Sequence, residues 1–229
     1  MERYSEITNK CKREIVLLKA RPCCWSKCTF CDYIDDNSSC EEENIKINDA
    51  VLNKVTGKYG VLEVIDSASI FELPNKTITR IKDIINEKNI HTLFVESHWL
   101  YYKKIQALRS YFGIHVIVKI GIETFDDYFR NVILNKNATF TSIEELKQYF
   151  DSPCLMVGIK GQNKEMISND MEILAKNFSH GTISIYRNNS TMIKKDETMV
   201  KWFINTYQDI IKDPRYDFLH DPTDFGIGE

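Results

Sequence analysis

The sequence predicts an α/β fold in which short strands alternate with helices. Six apolar runs, each too short for a helix, are separated by longer segments with helical periodicity. The runs are almost continuously apolar, which is typical of parallel strands that helices cover on the outside. A chain of 229 residues that is 43% hydrophobic can bury one sizeable core, so we expect a single domain over residues 1–229.

Each predicted strand is a run of β-branched or aromatic residues between polar or turn-forming ones. The first strand ends before Arg21-Pro22, and the fourth is unusually apolar. In chain order the predicted strands are Ile15–Leu18, Val61–Ile65, Thr92–Val95, Ile114–Ile122, Leu155–Ile159 and Thr182–Tyr186. Their order leaves open a doubly wound sheet or an incomplete barrel.

A helix is predicted after each strand. The second helix starts at Pro74, because a proline in the first turn of a helix loses no hydrogen bond. The predicted helices are Ile47–Val55, Pro74–Lys88, Leu100–Phe112, Phe125–Leu134, Lys164–Phe178 and Glu197–Lys212. Residues 213–229 show neither pattern, and we expect an irregular tail there that covers the carboxyl ends of the strands.

The composition argues against nucleic acid polymers and membranes as binding partners. A net charge of −3 argues against binding to nucleic acid polymers, which requires a basic face. No apolar run approaches the length of a membrane span, and the first residues lack the apolar core of a signal peptide. The seven cysteines are an odd number in a long chain, which argues against a disulfide framework. We therefore expect a cytoplasmic protein with reduced thiols that binds neither membranes nor nucleic acid polymers.

Cys24, Cys28 and Cys31 are spaced C-x3-C-x2-C directly after the first predicted strand. Three thiolates on one loop can bind three irons of a [4Fe-4S] cluster and leave the fourth iron open to a ligand. Zinc is the rival, because Cys23 or Cys40 would complete a site with four thiolates. Zinc ribbons usually present two C-x2-C pairs, however, and this region has one.

The cysteine loop, with Phe30 directly before its last cysteine, resembles the signature of the radical S-adenosylmethionine (SAM) enzymes. In that family the open iron of the cluster binds SAM, and reductive cleavage gives a 5′-deoxyadenosyl radical that abstracts hydrogen from a substrate. The resemblance implies a (βα)6 partial TIM barrel with the cluster loop after its first strand. It also implies three partners, namely a [4Fe-4S] cluster, SAM and a flavodoxin or ferredoxin-type electron donor.

Parallel barrels carry their chemistry at the carboxyl ends of the strands, and four of these ends supply candidates for SAM binding beside Phe30. Ser67 lies where the family has a glycine-rich stretch that holds the SAM amino group. Gly121-Ile122-Glu123 resembles the family element that binds the SAM ribose, although Glu123 also suits the start of the next helix. Gly158 can admit a ligand to the backbone, with an ordinary tight turn as the alternative. Tyr186 can pack against adenine, with surface packing as the alternative.

Within the superfamily, the compact barrel, the cysteine loop and the Gly-Ile-Glu-Thr segment resemble the queuine lyases of bacterial queuosine salvage. This resemblance implies cleavage of the N-glycosidic bond in queuosine 5′-phosphate to release queuine. A 7-deazaguanine base needs a carboxylate opposite its N1 and exocyclic amine, and the phosphate needs a cation. The candidate substrate residues are Asp66, Glu72, Glu96, His98, Lys119, Lys160, Arg187 and Asp224.

Three other interpretations stay open at this point. One is a 7-carboxy-7-deazaguanine synthase-like or other small-molecule radical SAM enzyme, although the sequence shows no recognisable magnesium site. Another is an activase that delivers its radical to a glycine of a partner protein, because activases usually carry the same three-cysteine loop. The third is a non-enzymatic zinc-binding module.

Overall fold

The computed structural model describes residues 1–228 and has the predicted α/β alternation. Its residues group into two compact units. The first unit contains Met1–Ser26, Tyr33–Val118 and the chain end from Phe225, and the second contains Lys27–Asp32 and Lys119–Asp224. Within residues 1–228, no helix combines the length and the apolar character that crossing a membrane would require.

The strands of the first unit pair in chain order. β1 (Tyr4–Ile7) is antiparallel to β2 (Arg13–Leu18), which is parallel to β3 (Val61–Asp66), and β3 is parallel to β4 (Thr92–Glu96). The helices of this unit are α1 (Glu41–Leu52), α2 (Asn75–Glu87) and α3 (Ile105–Phe112). Short 3-10 helices at Tyr33–Asp36, Ile70–Glu72 and Trp99–Lys104 complete it.

Three elements of the first unit differ from the prediction. The helix predicted at Leu100–Phe112 begins as the 3-10 helix Trp99–Lys104 and is α-helical only over Ile105–Phe112. Helix α1 begins at Glu41, before the predicted Ile47, because three acidic side chains in its first turn suit the positive end of the helix dipole. Strand β1 was not predicted, since Tyr4–Ile7 mixes polar and apolar residues and is mostly half-buried. The sheet therefore starts with an antiparallel strand.

The chain end belongs to the core of the first unit. Ile227 is 4% exposed and packs in a cluster with Ile7 and Ile15. The guanidinium of Arg13 pairs with Glu63 at 2.5 Å and lies near the ring of Phe225, 5.5 Å from its centroid. Both charged groups of that pair are almost fully buried, so the pair stabilises one specific packing of these side chains.

The second unit continues the alternation. β5 (His115–Glu123), β6 (Ser152–Val157), β7 (Gly181–Ile185) and β8 (Tyr216–Leu219) pair in parallel in chain order, and Lys119–Glu123 is the part of β5 in this unit. Its α-helices are α4 (Ile143–Tyr149), α5 (Lys164–Asn177), α6 (Glu197–Thr206) and α7 (Gln208–Lys212).

Three predicted elements of the second unit are wrong in part. The helix expected from Phe125 to Leu134 is only a π-helical turn, Phe129–Ile133, because the buried Arg130 draws the backbone carbonyls of Thr124 and Ala138 to its guanidinium. The last long helix divides at Tyr207 into α6 and α7. The strand predicted at Leu155–Ile159 lies earlier, since Gly158 leaves the strand with a φ of +88°.

The expected irregular tail is also wrong in part. Tyr216–Leu219 forms β8, with Tyr216 1% exposed, and a 3-10 helix follows at Pro222–Phe225. A four-residue strand with one aromatic anchor gives too short an alternation for a prediction from the sequence. The position of the tail over the strand ends stays a prediction.

Candidate active site

Cys24 lies on the loop after β2, and a carboxylate anchors its backbone. The amide of Cys24 donates a hydrogen bond to Glu72 Oε1 at 3.1 Å, and the hydroxyl of Tyr101 donates to the same oxygen at 2.6 Å. Tyr101 is held in turn by its ring contact with Phe71, whose centroid is 4.8 Å away. Glu72 is therefore a support for the cysteine loop, and sequence reasoning missed Tyr101 altogether.

Two carboxyl groups near Cys24 each keep one buried oxygen without a partner. Asp66 ends β3 and accepts the amide of Ala68 on Oδ1 at 2.7 Å, but its Oδ2 has no hydrogen-bond partner among the described residues. Glu72 Oε2 likewise has no hydrogen-bond partner among the described residues. Burial raises the pKa of Asp66 well above its usual value, with Glu96 and Glu72 adding to the effect, and burial also raises the pKa of Glu72. These two oxygens could accept hydrogen bonds from a group that carries N–H or O–H donors.

The thiol of Cys24 lies in an environment that disfavours the thiolate. A hydrogen bond with Cys23, partial burial and the Glu72 carboxyl together raise the pKa of Cys24. Metal ions bind the thiolate form, so binding at this position requires displacement of a proton.

In the second unit, residues 27–32 of the cysteine loop are fixed by neutral hydrogen bonds. The partners lie on the segment after the π-helical turn and on the loop after β7. The hydrogen bonds are Thr29 N to Leu134 O (3.0 Å), Thr29 Oγ1 to Ile133 O (2.9 Å), Asn135 Nδ2 to Lys27 O (2.8 Å) and Asn189 Nδ2 to Phe30 O (2.7 Å). These bonds fix the backbone between and beside Cys28 and Cys31.

Phe30 and Tyr186 form part of an apolar cluster beside these cysteines. Each is 3% exposed, and Cys28 and Cys31 pack against the same cluster. The hydroxyl of Tyr186 reaches Asn189 Oδ1 at 3.3 Å, which fixes the ring. Both predicted cofactor residues therefore adjoin the two thiols and shield them from water.

Glu123 closes β5 in a strained backbone conformation. Its φ is +67°, a region that L side chains rarely adopt, and the β5–β6 register shifts between Gly121 and Glu123. Glu123 Oε1 accepts a hydrogen bond from Lys136 Nζ at 2.9 Å. A Cβ at position 121 would lie 2.9 Å from that carboxylate oxygen, which explains the glycine.

Lys136 is a site residue that sequence reasoning missed. Its side chain is 15% exposed, and Nζ lies 5.4 Å from the ring centroid of Phe30. Burial alone would lower the pKa of Lys136, but Glu123 first, then Cys28 and Cys31, raise it overall. The available signal was the Asn-Lys-Asn sequence, since Asn135 and Asn137 both have a φ near +50°, which asparagine tolerates in turns.

The backbone directly after Glu123 is fixed by a buried network. Asp170 Oδ1 accepts the amide of Phe125 at 2.7 Å and the hydroxyl of Thr124 at 3.1 Å. Arg130 donates to the carbonyl of Thr124 at 3.0 Å. Burial raises the pKa of Asp170 to about 7. The network holds the strained end of β5 in one conformation.

Several residues predicted to bind ligands have hydrogen-bond or packing partners within the protein. The hydroxyl of Ser67 donates to Asn37 Oδ1 at 2.8 Å. His98 is buried, and its ring accepts the amide of Leu100 at the start of a 3-10 helix; its role in substrate binding stays a prediction. A Cβ on Gly158 would lie 2.3 Å from Val200 on α6, so close helix packing requires that glycine.

The remaining candidate substrate residues differ in their exposure and in their partners. Lys119 is 2% exposed on β5, and Glu96 is half-buried at the end of β4. Lys160 and Arg187 are exposed, with Arg187 3.8 Å from Asp221. Asp224 is exposed and caps its own turn through the amides of His220 and Asp221. That capping role explains Asp224 without a ligand.

Among residues 1–228, no three His, Cys, Asp or Glu side chains converge closely enough to hold one metal ion.

A parallel α/β fold with a three-cysteine loop after β2 defines the class: the chain is a radical SAM enzyme with a partial TIM barrel. A solved structure of a queuine lyase from Clostridium spiroforme, bound to SAM and queuine, is 63% identical. The match covers 100% of this chain and 100% of that one, with a TM-score of 0.99. The chain belongs to the queuine lyase family. Membership favours the lyase over the synthase, activase and zinc interpretations.

Other comparisons add little. Two structures of a radical SAM methyltransferase from Kitasatospora setae, one with tryptophan and a SAM analogue and one with cobalamin and a [4Fe-4S] cluster, are 11% and 12% identical. They match 74% of this chain and 35% and 34% of theirs, with TM-scores of 0.44 and 0.43, a likeness too weak for inference. No protein-family model matches the sequence, and no curated protein matches it.

Proposed function

We propose that this chain is a radical SAM lyase that releases queuine from queuosine 5′-phosphate by cleaving the N-glycosidic bond. The observation that carries the proposal is the 63% identity, over the full length of both chains, to the queuine lyase from Clostridium spiroforme. That protein binds SAM and queuine, and the same two ligands are the ones we assign to this chain.

Cys24, Cys28 and Cys31 are the residues that would hold the [4Fe-4S] cluster. Two observations support the fit: Cys28 and Cys31 adjoin a buried apolar cluster, and the ammonium of Lys136 lies near both thiols. When bound, the cluster supplies the electron for reductive cleavage of SAM. Hydrogen bonds to the backbone at Cys24 and at Phe30 hold the loop that carries the thiols.

Glu123 is our candidate for the SAM ribose. Its carboxylate is 7% exposed and is oriented by Lys136, so it presents acceptor oxygens at the end of a strand. A carboxylate that accepts two hydroxyl protons makes strong, charge-assisted hydrogen bonds. Tyr186 and Phe30 supply the apolar surface beside it that an adenine ring requires.

Asp66 and Glu72 are our candidates for the donor-rich edge of the 7-deazaguanine base. Each has a buried carboxyl oxygen without a partner, and N1–H and the exocyclic amine are donors that would satisfy both. We assign Lys119 or Lys160 to the phosphate on charge alone. Gly158, Arg187 and Asp224 have no further support as ligand residues.

The remaining assignments follow from the chemistry. We propose that residues 1–229 act as one catalytic domain, that the tail from residue 213 helps to exclude water, and that the electron comes from a flavodoxin or ferredoxin-type donor. Burial of Ile227 against Ile7 and Ile15 supports an ordered tail, and radical chemistry requires a dry site. A labile cluster and reduced thiols fit the cytoplasm.

The test is an anaerobic incubation of the cluster-loaded protein with reductant, SAM and queuosine 5′-phosphate. We expect mass spectrometry to show free queuine and 5′-deoxyadenosine, and neither in the absence of reductant. A fully loaded protein that cleaves SAM but releases no base would reject the lyase proposal and leave the superfamily assignment intact.

A further inference from the structure

The ammonium of Lys136 pairs with Glu123, the proposed SAM-binding carboxylate, and lies near the thiols of Cys28 and Cys31. Its ammonium is 2.9 Å from Glu123 Oε1, and it lies over the ring of Phe30, the residue between Thr29 and Cys31. We infer that Lys136 is a positioning residue that orients Glu123 for SAM and also raises the reduction potential of the cluster bound by Cys28 and Cys31. The inference rests on the proposed cluster and ribose sites.

The backbone around Lys136 is built to hold the ammonium in place. The amide of Lys136 donates to the carbonyl of Arg130 at 3.0 Å. The two preceding residues bind the cysteine loop, through the carbonyl of Leu134 and the side chain of Asn135. The segment that carries the cation is therefore attached directly to the loop that carries the thiols.

The glycine at position 121 leaves room for the ion pair between Glu123 and Lys136. A Cβ on Gly121 would lie 2.9 Å from Glu123 Oε1 and 3.1 Å from Lys136 Nζ, so the pair packs directly over the glycine. The pair is mostly buried, where a charge interaction is screened less than at the surface. Such packing favours one orientation of the carboxylate.

The sign of the effect on the cluster follows from charge. Reduction adds one negative charge to a cluster that three thiolates already make negative. A nearby cation stabilises the reduced form more than the oxidised form, so it raises the potential, and a nearby carboxylate lowers it. Lys136→Met should therefore lower the midpoint potential, whereas Glu123→Gln should raise it.

The experiment measures two quantities on the reconstituted holoenzyme and its variants. Potentiometric titration followed by electron paramagnetic resonance gives the cluster potential, and equilibrium binding gives the affinity for SAM. We expect Lys136→Met to weaken SAM binding about tenfold, since a charge-assisted hydrogen bond orients the carboxylate. Lys136→Arg keeps the charge and should restore most of both quantities.

Lys176→Met is the matched control. Lys176 is 69% exposed and pairs with Glu172 within α5, so its loss should change neither the potential nor SAM affinity. Equal potentials in the wild type and Lys136→Met would overturn the charge role, and unchanged SAM affinity would overturn the positioning role. Shifts of the same sign in Lys136→Met and Glu123→Gln would indicate general damage and would also overturn the inference. Queuine release is assayed separately, so failure of the lyase proposal is distinguishable from these outcomes.

Discussion

The two stretches of the cysteine loop lie in opposite electrostatic settings. In the first unit Cys24 adjoins the carboxyl of Glu72, and its pKa is raised. In the second unit Cys28 and Cys31 lie near the ammonium of Lys136. The two stretches thus differ in the charge beside their thiols: a carboxyl group lies near Cys24, and an ammonium group lies near Cys28 and Cys31.

The buried carboxyls of the two units differ in the same way. Asp66 and Glu72 each keep an oxygen without a partner, whereas Glu123 pairs with Lys136 and Asp170 accepts two hydrogen bonds. A buried acceptor without a donor costs free energy in the ligand-free protein, and a ligand can recover that cost. The comparison separates carboxyls that keep a buried oxygen without a partner from carboxyls that are paired within the fold.

The largest expected effect tests whether all three cysteines belong to one site despite these settings. Replacement of Cys24, Cys28 or Cys31 with alanine should abolish the cluster, because each would leave a second iron without a protein ligand. Iron and acid-labile sulfide analysis of anaerobically reconstituted protein measures this. The wild type should contain about four irons and four sulfides, as a [4Fe-4S] cluster requires.

Cys23→Ala is the internal control for the cysteine series. Cys23 is half-buried and adjoins Cys24, but it lies outside the C-x3-C-x2-C spacing. The variant should keep a full cluster. A Cys23 variant without iron, together with a Cys24 variant that retains it, would show that the ligand assignment is wrong.

Much of the fold was predictable because apolar periodicity is a local signal. Strands β3 and β4 and helix α2 lie within a residue or so of the predicted bounds. Strands β1 and β8 were missed, since Tyr4–Ile7 and Tyr216–Leu219 are short and become strands only through their neighbours. The π-helical turn was missed because it depends on the buried Arg130.

The site was predictable where its chemistry is encoded in spacing. The cysteine loop and Glu123 follow motifs, and both occupy the expected strand ends. Lys136 and Asn189 were missed because each reaches the site from a loop distant in sequence, through one side chain. His98 was a candidate because it follows Glu96 at a strand end, and the structure adds a contact that the sequence does not reveal, in which its ring caps a 3-10 helix at Leu100.

We expect Asp170 to affect the free energy of unfolding and not the affinity for SAM, as its two hydrogen bonds within the fold indicate. Its folded pKa of about 7 exceeds the usual 3.8, so the unfolded chain loses this proton first as pH rises. The contribution of Asp170 to the free energy of unfolding should therefore fall between about pH 4 and about pH 7 and stay constant above that range. Relative to Asp170→Asn, the wild type should lose about 3 kcal/mol between about pH 5 and about pH 8.

Chemical denaturation of the ligand-free protein at several pH values measures this difference. The SAM affinity of Asp170→Asn, measured on the loaded protein, should stay close to that of the wild type. A flat difference between the two proteins across the range would show that Asp170 ionises normally in the fold. A large loss of SAM affinity would instead place Asp170 among the ligand-binding groups.

The smallest expected effect concerns the neutral bonds that fix residues 27–32. Asn189 Nδ2 donates to the carbonyl of Phe30 at 2.7 Å, and its Oδ1 accepts from the hydroxyl of Tyr186 and from the amide and hydroxyl of Thr191. Asn189→Ala removes all four bonds. One neutral hydrogen bond contributes about 1 kcal/mol, so the fold should survive while the loop becomes less ordered. We expect faster loss of iron to a chelator, measured by the decay of the cluster absorption.

Asn177→Ala is the matched control, because Asn177 Nδ2 also donates to a backbone carbonyl, that of Ile173 at 2.9 Å, within α5. Both variants lose a hydrogen bond to a backbone carbonyl, but Asn189→Ala also loses the bonds that its Oδ1 accepts, so its melting temperature should fall further. Only Asn189→Ala should release iron faster, since only its bond fixes the backbone next to Cys31. Equal rates of iron release in the two variants would mean that the cluster itself orders the loop. The two stretches of the loop would then differ only in the charge near their thiols.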